Sequence, residues 1–154
     1  MAESPVDRLA RLGLTLPPPP RPAGTYTPVV RSGTLAWVSG QIATDSGTVV
    51  RPGSVDRDLS VEEAQGIARR ATLQALSALE QSLGSIDRIR RAVRVGVFVA
   101  VSPGFHREHE VANGATQLLV DLFGEDGRPA RSTVGVAGLP LGAPVEVELL
   151  VETG

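Results

Sequence analysis

The sequence predicts an α/β (α+β) domain in which a mixed sheet carries two long helices on one face, in the order ββ(β)αβαββ. Three observations predict it. Residues 60–83 repeat apolar side chains at helical spacing between a start signal and a stop signal. Residues 92–101 and 144–152 alternate with the period of a half-buried strand. From residue 60 onward, helical and strand patterns follow one another as strand–helix–strand units, which close as crossovers with their helices on the sheet.

Taken in order, Ser4 as N-cap, Pro5 at the first helical position, Asp7 in the first turn and Gly13 beyond the end describe a short helix over 5–12. Pro17-Pro18-Pro19-Pro20-Arg21-Pro22 then has to run extended as polyproline II. It reads as a stiff arm or linker, and as a ligand for an SH3-type domain it lacks a clear flanking pattern. Residues 27–31 and 34–41 are expected to be strands joined at Ser32-Gly33, with a third short strand around 48–51. The helix over 60–83 opens on a Ser60/Glu63 capping box, buries Ala64, Ile67, Ala71, Ala75, Leu79 and Leu83, and stops at Gly84. In the strand over 92–101, Val93, Val95, Val97 and Val99 share one face, with Arg94 and Phe98 on the other. A second long helix is expected from about 103 to 123, turning Val111, Ala115, Leu118, Leu119 and Leu122 inward. Strands over 132–137 and 144–152 close the chain as an antiparallel pair, the last turning Val145, Val147, Leu149 and Val151 one way.

The chain has 154 residues, enough for one domain with a real core, and with only five aromatic residues that core has to be aliphatic. Two helices cover one face of a sheet. The other face carries Trp37, Phe98 and Leu150 among charges and is too apolar for water, so a second copy of the chain is expected to cover it.

All 15 basic residues are Arg, which excludes lysine Schiff-base chemistry within the chain. The absence of Cys removes thiolate nucleophiles, disulfides and cysteine metal sites. With no secretory h-region in its first residues, the protein is expected to be cytoplasmic, with no membrane partner. The formal net charge of −2 and the lack of a basic block advertise no nucleic-acid surface. His106 and His109, beside Glu108 and Glu110, have a spacing that could offer two imidazoles, but without a third ligand they read as a solvated helix end, and no metal is expected. No glycine-rich phosphate loop is present, and without Lys a P-loop is excluded. The stretch 129–148 places Arg131 at the start of one strand and Glu146 and Glu148 on the next. On its own this reads as a cross-strand ion pair of small consequence.

The stretch nevertheless resembles a family signature. Ala130-Arg131-Ser132, a V-x-V strand, Leu139-Pro140 and Val145-Glu146-Val147-Glu148 are similar to the RidA/YjgF family of imine deaminases, some members of which carry the name L-PSP endoribonuclease. The likeness continues through Tyr26, Val38-Ser39-Gly40-Gln41, Val97-Phe98-Val99 and Asn113, over nearly all of 24–152. It divides the chain into an N-terminal short helix and polyproline arm, 1–23, and a single RidA-like domain, 24–154. Gly124-Glu125-Asp126-Gly127-Arg128 lengthens the approach to Arg131, so the chain resembles a side branch that keeps the key Arg.

The resemblance implies a chorismate-mutase-like fold assembled as a homotrimer with clefts between subunits. It implies hydrolysis of 2-imino or enamine acids to 2-keto acids and ammonia, with no cofactor. Arg131 is implied to bind the substrate carboxylate and Glu146 to position or activate water, with Tyr26, Ser39, Gly40, Asn113 and Thr133 lining the cleft. A planar guanidinium suits that first task because it grips a carboxylate bidentately and stays charged at any working pH. Two other readings stand beside it: a non-catalytic trimer that binds a small carboxylate in the same cleft, and a ribonuclease, against which the acidic balance and the missing Lys argue.

Overall fold

In the computed structural model, which describes residues 2–154, the elements are α1 (Pro5–Arg11), β1 (Val29–Ser32), β2 (Leu35–Ile42), β3 (Thr44–Asp45), β4 (Thr48–Val49), α2 (Val61–Leu83), β5 (Ile89–Ala100), α3 (Glu108–Phe123), β6 (Ala130–Val136) and β7 (Val145–Thr153). The main sheet runs β1-β2-β7-β5-β6, and β3 and β4 form a separate hairpin. The β5–β6 pair is parallel and the other three pairs are antiparallel. Strand β7 therefore inserts between β2 and β5, so α2 joins two strands that point the same way across it, and α3 joins neighbours.

Helix α2 forms where its start is fixed: Ser60 accepts from Glu63 N while the Glu63 carboxylate accepts from Ser60 N at 2.7 Å. Gly84, in the left-handed conformation, ends it. Ser60→Ala should cost about 1 kcal/mol of stability, read from urea unfolding. The buried face of α2 is rich in Ala64, Ala68, Ala71, Ala75 and Ala78, and it lies against β2 and β7. α3 packs beside it on β5 and β6. Their crossing is close because Gly114 leaves no Cβ to strike the backbone of Gln65, and the Gln65 side-chain Nε2 donates to the Glu110 carbonyl at 2.8 Å. The core between helices and sheet is aliphatic throughout, with Leu76, Leu79, Leu118, Leu119, Leu122, Val95, Val97 and Leu149 fully enclosed.

Several expectations need correction. Val93 does not share the core face with Val95. A bulge between Ala92 and Arg94 gives that place to Ala92, and the extra residue reverses the alternation before it. The second long helix begins at Glu108 rather than near Pro103, because Gly104 takes a φ of +90° and Phe105 N closes a turn onto the Ser102 carbonyl. His106 is thereby left outside the helix. The last two strands do not pair with each other, since β5 lies between them.

The N-terminal segment packs on the rest. Leu9 is buried, Val6 N donates to Asp87 at 2.9 Å, and the Arg8 guanidinium donates to the Leu122 carbonyl at 3.3 Å. The sheet face away from the helices carries Val30, Trp37 and Val134, all strongly exposed. No helix among the described residues is long and apolar enough to cross a membrane.

Candidate functional site

Arg131 sits on the edge strand β6 opposite Val95 in a parallel pair, so its side chain leaves the sheet on the helix side. There its Nη1 donates to Asn113 Oδ1 at 2.8 Å and to Thr116 Oγ1 at 3.3 Å, both on α3. It has no carboxylate partner among the described residues, and it lines a shallow hollow of about 450 Å³ together with Asn113, Thr116, Gln117 and Arg128. Thr133, two residues along, shares this face of β6. Thr116 was not singled out from sequence, although its position three residues after Asn113 puts both on one helical face.

Glu146 lies opposite Phe98 on β5 and Ile42 on β2, on the face away from the helices. Its neighbour Glu148 is occupied by Arg94 at 3.0 Å, whereas Glu146 has neither a cation nor a hydrogen-bond donor among the described residues. Burial pushes the Glu146 carboxyl above the usual carboxylate range, and the charge of Glu148 pushes the same way.

A bulge in β2 shapes this neighbourhood. Ser39 and Gly40 together span the interval between the Val38–Leu149 and Gln41–Val147 pairs. The Ser39 hydroxyl donates to the Thr27 carbonyl at 2.7 Å, tying the bulge to the chain that leads into β1. Gly40 faces the Glu146 carboxylate so closely that a Cβ there would collide with it. Gly40→Ala should therefore displace the Glu146 carboxylate while the protein still folds, checked by a crystal structure of the variant beside circular dichroism.

Tyr26, Gly40 and Glu146 line a larger hollow of about 690 Å³, walled on its far side by the polyproline arm. The residues expected from sequence thus fall into two groups. Arg131, Asn113 and Thr133 stand at the α3 side of the edge strand, and Tyr26, Ser39, Gly40 and Glu146 stand around β2 and β7. Within one chain the sheet separates them. The cross-strand ion pair between Arg131 and a glutamate of the last strand does not form, because β5 intervenes and the two side chains leave opposite faces. No group of three or more His, Cys, Asp or Glu side chains among the described residues is placed to hold a metal ion.

A family model described as "YjgF/chorismate_mutase-like, putative endoribonuclease" matches residues 6–153. The chain belongs to the RidA/YjgF family. That match begins inside α1 and takes in the polyproline arm. Among relatives, Protein TCP17 of Trypanosoma cruzi is 45% identical over 94% of this chain and 91% of its own. A 2-iminobutanoate/2-iminopropanoate deaminase of Dermatophagoides farinae is 30% identical over 90% of this chain and 93% of its own. The crystal structure of Atu1372 from Agrobacterium tumefaciens, a protein of unknown function, superposes with a TM-score of 0.89 at 40% identity, over 96% of this chain and 91% of the other. The RidA/YjgF fold, a mixed sheet with α2 and α3 on one face, is that of the family.

Proposed function

We propose that this RidA/YjgF protein hydrolyses reactive 2-imino or enamine acids to 2-keto acids and ammonia, at sites that two copies of the chain complete in a cytoplasmic homotrimer. The observation that carries this reading is that Arg131 and Glu146, on separate halves of the molecule, are each left without a partner of opposite charge. A carboxylate substrate with an electrophilic carbon needs one of each. The exposed Val30, Trp37 and Val134 supply an apolar surface for a neighbouring copy to cover, which would bring one chain's Arg131 toward another chain's Glu146. The similarity to a 2-iminobutanoate/2-iminopropanoate deaminase supports the substrate class.

In this reading the guanidinium grips the substrate carboxylate with the donors that Asn113 and Thr116 leave free, which fixes the C2 carbon in front of Glu146. An enamine first takes a proton at C3 and becomes the iminium. Glu146 accepts a proton from water as the water oxygen bonds to C2, giving a carbinolamine. Glu146 passes that proton to nitrogen and then takes the hydroxyl proton as the C–N bond breaks, so that ammonia leaves, the keto group remains, and the proton on Glu146 is released to the ammonia or to solvent. General-base work of this kind contributes typically about 10²–10⁴-fold, a modest demand because the protonated imine is already electrophilic. Imines generated in situ by an amino acid oxidase test the reading: the wild-type protein should accelerate release of ammonia and keto acid, and no acceleration over buffer would refute it.

A further inference from the structure

We propose that the hollow beside Glu146 is built for a bulky apolar side chain, so that imino acids of the leucine and phenylalanine type are preferred to those of the alanine or glutamate type. The inference rests on the hydrolysis proposed above and names its substrate class.

The first support is size. A hollow of about 690 Å³ lies in the range that encloses ligands of drug size, far more than a three-carbon imino acid fills.

The second support is the chemistry of the wall. Pro17 through Pro22 form one side, interrupted only by Arg21, and proline has no N–H to offer a ligand. The Pro17 and Pro18 carbonyls are already used: Ser77 Oγ donates to the first at 2.5 Å and Gln74 Nε2 to the second at 2.8 Å. Both donors belong to α2 and are themselves only 3% and 5% exposed, so the arm is anchored to the core rather than draped over it. What it turns to the hollow is largely ring methylene. Tyr26, Pro28, Ile42, Pro140 and Leu141 continue the apolar lining.

The third support is Leu141, which is 77% exposed and held at a φ of +58°. A large apolar side chain in water, on backbone that favours glycine, is doubly unfavourable and is the kind of local cost found at ligand-binding rims. The lining carries two cations, Arg21 and Arg70, and two acids, Asp45 and Glu146, so its charges balance and offer a charged side chain no net attraction to offset the cost of leaving water for an apolar wall.

The test uses the full chain with imines formed in situ from alanine, leucine, phenylalanine and glutamate, and with the four matching 2-keto acids in thermal-shift titrations. The leucine and phenylalanine imines should show kcat/KM at least about tenfold above the other two, and their keto acids the larger shifts. Leu141→Gly, which suits the left-handed backbone and so folds, should reduce the leucine-to-alanine ratio of kcat/KM about tenfold. Equal treatment of all four, or preference for the small or acidic ones, overturns the side-chain inference and leaves hydrolysis standing. Ordered shifts without turnover overturn hydrolysis and support the selection of bulky apolar side chains. Neither shifts nor turnover overturns both.

Discussion

Truncation of Arg131 to alanine is expected to lower kcat/KM for imine hydrolysis by about 100- to 1,000-fold, the usual consequence of losing one partner of a charge-assisted, hydrogen-bonded pair. Thermal stability should hardly change, because the residue is exposed on an edge strand and its local partners are the neutral side chains of Asn113 and Thr116. Lysine should not restore the rate. Its ammonium is a point charge without the planar fork, and it would have to satisfy Asn113 and still reach the substrate.

A mixing experiment separates a shared site from one built within a single chain. Arg131→Ala and Glu146→Gln chains, each inactive alone, are refolded together in equal amounts and assayed for ammonia release. Where, as proposed, each seam of a ring takes its guanidinium from one copy and its carboxylate from the next, random assembly restores about a quarter of the wild-type sites. A mixture as inactive as its components would mean that Arg131 and Glu146 do not meet across a seam between copies, and with that the proposed shared site fails.

Much of this arrangement is legible in the sequence. The Ser60/Glu63 box, the apolar spacing of α2 and the alternation of β7 are local signals, and each led to the element observed. The start of α3 was not, because its N-cap Arg107 makes no side-chain cap and the residues before it carry no competing period. Nor was the bulge at Ala92–Arg94, since Val93 continues the valine alternation by sequence and only the pairing with β7 displaces it. Arg131 and Glu146 were singled out by the family resemblance rather than by the strand pattern, and their separation was visible in neither. Consecutive strands were expected to pair, and the insertion of β7 between β2 and β5 is decided by contacts far apart in the chain. The role of Gly40 was hidden for the same reason: the carboxylate it accommodates lies more than a hundred residues away.

Glu146→Gln is expected to lower kcat by about 10²–10⁴-fold with little change in KM, as suits a group that acts on water rather than on the substrate carboxylate. The same substitution should slightly raise the thermal midpoint at neutral pH. The sign follows from linkage. Burial and Glu148 raise the Glu146 pKa in the folded protein above its unfolded value, so folding holds this proton more tightly and loses stability as pH rises through that window. A neutral isostere removes the ionised group that the half-buried site disfavours. Activity runs the other way, because the base works only when ionised, and the acid limb of the pH–rate profile should lie above the ordinary glutamate range. Glu148→Gln then serves as the internal check. It removes the smaller of the two causes, leaves the burial of Glu146 in place, and breaks only an exposed pair with Arg94. The acid limb should move to lower pH with the maximal rate largely kept. A limb that stays where it was, or moves up, would mean that the titration controlling turnover belongs to a group other than Glu146.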